Sequence, residues 1–282
     1  MPPLCSAQSL RALLAHPPAD LVLIDARSGA DAGERYAAGH LPGARHVDLD
    51  HDLAAHTDDP AQGGRHPLPT PAAFAAVLGR LGIGTNSRVV VYDDKGGANA
   101  AARFWWMLRS AGHAGVQVLD GGWPAALAAG IASTAEVPPP ANAPPYPFAA
   151  WQGARASIDE VRRASRDGSS LIVDVREPVR YRGESEPIDA TAGHIPGAVN
   201  LPYADSLDPD GAMRAAGELA SRYEAALGGR AASEVIVHCG SGVTACHTLL
   251  AFEHAGLPMP RLYVGSWSEW SRTGDPVATG AR

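Results

Sequence analysis

The sequence predicts an α/β protein made of two copies of one unit, each a mainly parallel sheet flanked by helices. Three observations carry this. Apolar runs end in aspartate twice, at Leu21–Asp25 and Leu171–Asp174; an unbroken apolar run suits a strand buried on both faces of a parallel sheet, its carboxylate emerging at the C-terminal end. Such runs alternate with stretches of helical pattern, the order expected of α/β domains. Four landmarks also recur in the same order in both halves, which is the mark of duplication.

The aspartate-ended strands are the first landmark pair. Gly39-His40-Leu41-Pro42-Gly43-Ala44 returns as Gly193-His194-Ile195-Pro196-Gly197-Ala198, a Pro-Gly turn feeding a short strand expected over 46–49 and 199–201. Arg88-Val89-Val90-Val91-Tyr92-Asp93 matches Glu234-Val235-Ile236-Val237-His238-Cys239, and Leu119-Asp120-Gly121-Gly122-Trp123 matches Tyr263-Val264-Gly265-Ser266-Trp267. From Asp25 to His40 is 15 residues and from Asp174 to His194 is 20, which puts an insertion of about five within 181–192. Helices are expected over 6–15, 71–81, 99–111, 157–166, 215–227 and 243–255. Between the copies, 137–148 holds six prolines in twelve residues, too many for a helix interior or a central strand. The reading is therefore a first domain at 1–136, an extended linker at 137–148 and a second domain at 149–282.

A chain of 282 residues has room for two domains of ordinary size. Lys and Arg number 23 against 30 acids, net −7, with no basic run, so no nucleic-acid partner is expected. No apolar stretch is long enough for a bilayer, so no membrane partner is expected, and the first fifteen residues lack the features of a secretory signal. Three cysteines, Cys5, Cys239 and Cys246, are too few and too uneven for a disulfide framework. A cytoplasmic, reducing setting and a monomer are expected.

Chemistry concentrates at 235–247. A short apolar strand runs into Cys239-Gly240-Ser241-Gly242-Val243-Thr244, and a helix starts near Val243. Small residues let the loop amides converge on one point, and the helix N-terminus adds positive dipole, so a thiolate at Cys239 is favoured there. Gly240, Gly242, Val243 and Thr244 form the substrate cradle, with Thr244 also read as the helix cap. The Ser241 hydroxyl, two residues past the thiol, can bond the thiol or a departing group.

Spacing argues against two other chemistries for this stretch. His238, Cys239, Cys246 and His247 offer soft ligands, but Cys246 falls inside a helix rather than across a turn, so no metal site and no cofactor are expected. Cys246 is then a buried helical thiol and His247 a partly exposed helical histidine. A cysteine phosphatase or arsenate reductase needs an arginine closing the loop; the sixth residue after Cys239 is Ala245, and no arginine occurs before Arg261.

These motifs make residues 6–278 resemble the two-domain rhodanese-type sulfurtransferases, so each domain is expected to be rhodanese-like. The loop Cys239–Thr244 is similar to that of 3-mercaptopyruvate sulfurtransferases; thiosulfate enzymes of this architecture usually carry Arg and Lys after the cysteine. The resemblance implies that Cys239 takes sulfur from 3-mercaptopyruvate or thiosulfate as a persulfide and passes it to a thiol or cyanide, with Ser241 catalytic. It implies that Arg180 binds the donor's anionic group, which suits a guanidinium, and that Asp50 and His66 reach the site, His66 relaying protons or holding a carbonyl. It also implies that the first copy, with Asp93 where the second has Cys239, is catalytically silent. One departure stands out. A second substrate arginine is common several residues after the first, but here 184–189 reads Glu-Ser-Glu-Pro-Ile-Asp. A non-enzymatic alternative, a persulfide carrier or redox module for a partner protein, shares the same cysteine. Arg182 is read as a surface residue, Asp25/Arg27 and Asp174/Arg176 as structural pairs because they recur in the silent copy, His40 and His194 as packing residues, and Trp123 and Trp267 as core.

Overall fold

A computed structural model describes residues 1–141 and 143–281; Asn142 of the proline-rich segment and the terminal Arg282 of the second expected domain lie outside the described residues. The chain divides into two units. The first holds Met1–Ala55, Pro69–Gly153 and Pro209–Ala212; the second holds His56–Leu68, Ala154–Asp208 and Met213 onward. The short stretch His56–Leu68 therefore packs with the second unit, although the chain around it belongs to the first.

In the first unit, strands β1 (Leu4–Cys5), β2 (Leu21–Asp25), β3 (Arg45–His46), β4 (Arg88–Tyr92) and β5 (Val116–Leu119) form a sheet in the order β1-β5-β4-β2-β3. Every pairing is parallel. Helices α1 (Ala7–Ala15), α2 (Ala32–Ala38), α3 (Pro71–Arg80), α4 (Ala100–Ser110) and α5 (Gly122–Ala128) flank it. Leu10, Leu23, Val90 and Leu119 share one buried cluster. α1 starts where Ser6 accepts the Ser9 amide, and α3 where Thr70 accepts the Ala73 amide with Pro71 in the first turn; each cap satisfies a donor that the helix leaves unpaired.

The second unit repeats the plan with four strands, β6 (Leu171–Asp174), β7 (Val199–Asn200), β8 (Val235–His238) and β9 (Arg261–Leu262), ordered β7-β6-β8-β9 and again parallel. Its helices are α6 (Ile158–Asp167), α7 (Pro178–Tyr181), α8 (Ala216–Leu227), α9 (Thr244–His254) and α10 (Ser266–Trp270). α6 opens with a reciprocal capping box between Ser157 and Glu160 and closes on Gly168 at φ +68°.

The six helices expected from pattern are present, each within one residue of its expected ends. The short strands are shorter than expected, two residues each at 45–46 and 199–200. β1, α2, α5, α7 and α10 were not expected; all are seven residues or fewer, below the length at which periodicity speaks. The proline-rich stretch runs along α3, where Ala143 and Tyr146 amides donate to the Gly79 and Ala75 carbonyls and Phe148 meets Phe74 edge-on. Among the described residues no helix is long and apolar enough to cross a membrane.

The repeated charged pairs are structural. Arg27 grips Asp25 at 2.7 Å, donates to the Gly39 carbonyl and stacks on Trp123; Arg176 grips Asp174 at 2.6 Å, donates to the Gly193 carbonyl and stacks on Trp267. Each pair ties a strand end to the Gly-His turn, and each is fully desolvated, so its net value depends on these extra bonds. His40 and His194 stack on Tyr36 and Tyr181, as packing residues do.

Candidate active site

β8 is a central strand, and Cys239 follows its last residue, at the carboxyl edge where ligands meet open parallel sheets. The thiol is buried, 1% exposed. Its loop is pinned from α10. The Cys239 amide donates to Ser266 Oγ at 3.2 Å, Ser266 Oγ donates to the Tyr263 carbonyl, and the Trp267 and Ser268 amides donate to the Cys239 and Gly240 carbonyls. Ser266 has φ +56°, the one positive φ outside glycine among the described residues. Such strain persists only where surroundings impose it, and here it aims the hydroxyl at the cysteine amide.

Gly242 makes the loop possible. Its φ is +73°, and a Cβ there would lie 2.4 Å from the Val264 carbonyl oxygen. Ser241 is buried; Val243 is the residue before α9 and Thr244 its first residue. The expectation that Thr244 caps the helix is corrected: Val243 occupies the cap and supplies no side-chain acceptor. Among the described residues, the amides of Gly240, Ser241, Val243 and Thr244 donate to no protein acceptor. The loop holds a set of donors and no side-chain charge.

The equivalent loop in the first unit shows what such a set does. Asp93 follows β4 as Cys239 follows β8, and its carboxylate accepts the amides of Lys95, Gly97, Asn99 and Ala101 at 2.8 to 3.1 Å. An anion sits at the focus of that loop, supplied by the chain itself. Burial pushes the Asp93 carboxyl up, with the four amides opposing.

His56–Leu68 brings two side chains to the loop. Its Gly63 amide donates to Glu269 and its Arg65 amide to Ser268 Oγ, and Gly64 approaches so closely that a Cβ would lie 2.3 Å from the Gly265 oxygen. With the backbone clamped on α10, His66 Nδ1 is hydrogen bonded to Ser241 Oγ at 2.8 Å. Two residues expected at the site on separate grounds thus meet. Asp50 belongs to the first unit, where it is exposed and its amide donates to Asp48.

Arg180 projects from α7. Nε and Nη2 hold Glu186 at 3.2 and 2.7 Å, and a Cβ on Gly240 would lie 3.5 Å from Nη2. Burial works against the charge, but Glu186, Glu177 and Asp189 raise the guanidinium above its ordinary value. Arg182 is exposed to solvent on one side and pairs with Glu184. The segment 184–189 supplies acids that hold cations: Glu186 takes both Arg176 and Arg180, and Asp189 takes both Arg65 and Arg272. Arg65, Glu186, Asp189, Arg272 and Ser266 were not singled out from the sequence.

Two histidines flank the loop. His238 is fully buried with Nε2 3.8 Å from Asp174; burial lowers its proton affinity, Asp174 opposing. His247, expected to be partly exposed, is fully buried on α9, with Tyr203 edge-on. α9 packs its residues 245–252 inside, so it has no outward face at that position.

Fold and loop together define a duplicated α/β protein with a buried cysteine in a loop at the carboxyl edge of its second sheet. Comparison with known proteins agrees. The sequence pattern of the rhodanese-like domain matches residues 6–129 and 157–273. The chain is 44% identical over 285 residues, 98% of each chain, to the Pseudomonas aeruginosa protein named "Probable 3-mercaptopyruvate sulfurtransferase". It is 35% identical over 260 residues to a thiosulfate sulfurtransferase of the same organism, covering 91% of this chain and 90% of the relative. Among solved structures, 3-mercaptopyruvate sulfurtransferase from Leishmania major superimposes with a TM-score of 0.81 at 33% identity, over 94% of this chain and 74% of the other. The chain belongs to the tandem rhodanese-domain sulfurtransferases.

Proposed function

We propose that the chain moves sulfur from 3-mercaptopyruvate to a thiol or cyanide acceptor through a persulfide on Cys239, and that the first domain, 1–136, is catalytically silent. The observation that carries the choice of donor is the 2.8 Å bond between Ser241 Oγ and His66 Nδ1, beside a loop with no cation from 240 to 244. A 2-oxo acid donor needs a hydrogen bond at its carbonyl and a proton for the carbon that departs from sulfur; a hydroxyl bonded to an imidazole serves both. A thiosulfate dianion calls for cations in the loop instead.

The Cys239 thiolate attacks the donor sulfur. The bond between that sulfur and C3 breaks, and its electron pair stays on carbon as the enolate of pyruvate. The proton first carried by the donor thiol reaches C3 through Ser241 and His66, which leaves pyruvate and a Cys239 persulfide anion. The amides of Gly240, Ser241, Val243 and Thr244, which donate to no protein acceptor among the described residues, hold the outer sulfur, by the same device that holds the Asp93 carboxylate. Arg180 meets the donor carboxylate, and that Asp50 reaches the site is part of the proposal. An acceptor thiolate then attacks the outer sulfur and releases the Cys239 thiolate, a two-step nucleophilic cycle. Such chemistry suits a reducing compartment, where the thiol stays free.

Incubation of the purified protein with 3-mercaptopyruvate is expected to add about 32 Da, one sulfur, which cyanide removes. Cys239→Ala is expected to show neither the increment nor turnover. The ratio of kcat/KM for 3-mercaptopyruvate over thiosulfate reads donor preference, and a ratio below one overturns the donor assignment. Turnover with small free thiols separates an enzyme from a dedicated carrier.

A further inference from the structure

We propose that Arg65 is the second cation of the donor-binding site, taking the role for which the segment 184–189 offers no arginine. For the identity of the donor this rests on the function proposed above; for anion binding it stands on geometry alone. A Cβ built on Gly240, the residue after the nucleophile, would lie 3.7 Å from Arg65 Nη2, 3.5 Å from Arg180 Nη2 and 3.7 Å from Arg180 Nη1. Two guanidinium groups therefore converge on one point of the cysteine loop.

Arg65 is fixed for this role at both ends. Its amide donates to Ser268 Oγ at 2.9 Å and its Nη1 to Asp189 Oδ1 at 2.8 Å, while Nη2 has no hydrogen-bond partner among the described residues. The Asp189 side chain is fully buried. Its Oδ1 also accepts Arg272, and its Oδ2, with no hydrogen bond of its own, lies 3.8 Å from Arg180 Nη2. Arg180 is held by Glu186, so Asp189 is hydrogen bonded by two guanidinium groups, those of Arg65 and Arg272, and the unengaged Arg65 nitrogen faces the loop. Arg65 precedes His66, so one clamped segment would deliver both the cation for a donor carboxylate and the imidazole for its carbonyl. Two-point recognition of a carboxylate is the use for which guanidinium geometry is suited.

The test compares Arg65→Gln and Arg65→Lys with the parent protein in two assays. In steady state, Arg65→Gln is expected to raise KM for 3-mercaptopyruvate about tenfold, the usual loss for one charge-assisted hydrogen bond, with Arg65→Lys recovering part of it. Independently of any donor, alkylation of Cys239 is followed by peptide mass with anionic iodoacetate and neutral iodoacetamide. Arg65→Gln is expected to slow iodoacetate about fivefold to tenfold and to leave iodoacetamide unchanged. A fall in the iodoacetate rate alone supports the proposal even if 3-mercaptopyruvate is not a donor, in which case only the functional reading fails. Equal slowing of both reagents, or an unchanged ratio, overturns it and makes Arg65 a structural residue.

Discussion

Ser241 Oγ and His66 Nδ1 are hydrogen bonded at 2.8 Å although 175 positions separate them in the chain. Neither side chain alone does what the pair can, because a hydroxyl passes a proton on only when a neighbouring group takes up or resupplies one, which the imidazole can do. Ser241→Ala and His66→Asn are each expected to lower kcat/KM for 3-mercaptopyruvate by about tenfold to a hundredfold. The double variant is expected to lose no more than the worse single one, since residues acting as a unit are not additive. If the two losses multiply in the measured kcat/KM values, the residues act separately.

Asp93 offers a test of the proposal that the first half is silent. Its carboxylate satisfies four loop amides in a fully buried position. Asp93→Ala strands those donors, and denaturant titration is expected to show a loss of about 3 kcal/mol or more. Asp93→Asn is expected to rescue little, because its amide group turns two hydrogens toward donors that need acceptors. The kcat/KM of the folded fraction should stay within about twofold, the outcome that the proposed silence of the first domain requires.

The contrast between these loops also shows what sequence can and cannot reveal. Strands β2, β4, β6 and β8 were legible because an unbroken apolar run of four or five residues has few other uses, and the loop at Cys239 was legible because small residues beside a strand-end cysteine have a chemical purpose. Arg65 was not. Its significance depends on Asp189, 124 positions away, and on the way Gly63 and Gly64 let the segment lie against α10. The run 184–189 was read as a missing cation, whereas its acids are what hold cations supplied by other segments. His247 was misjudged because one helix position says nothing about what covers it.

His247 gives a pH dependence with a definite sign. Burial alone lowers its pKa from 6.5 to about 4, and neither ring nitrogen has a hydrogen-bond partner among the described residues. Between those values the unfolded chain binds the proton and the folded chain does not, so stability is complete above pH 6.5 and declines as the pH falls toward 4. The loss from this group amounts to about 3 kcal/mol at the acid end. His247→Leu is expected to flatten the curve over that range in urea titrations at stepped pH. A curve for the variant parallel to that of the parent would assign the acid sensitivity to other groups.

Gly240 and Gly242 stand on either side of Ser241 and are expected to respond in opposite ways to a single methyl group. At Gly242 an alanine must adopt φ +73° with its Cβ 2.4 Å from the Val264 oxygen, a backbone atom that cannot swing aside. The conformational strain alone costs about 1 to 3 kcal/mol, and the clash adds to it. Gly242→Ala is therefore expected to lower the melting temperature and to abolish the cyanide-labile mass increment, because the amides no longer converge. Gly240 has no positive φ, and its Cβ would meet only guanidinium nitrogens at 3.5 Å or beyond, an ordinary contact. Gly240→Ala is expected to unfold at the parent's temperature, within the about 0.5 kcal/mol typical of tolerated substitutions. Its methyl group would instead occupy the space where a donor carboxylate meets Arg180, so KM for 3-mercaptopyruvate should rise while iodoacetamide still reaches Cys239. Loss of stability in both variants would mean that the loop tolerates no added atom anywhere, and the space beside Gly240 would then be packing space instead of a place for substrate.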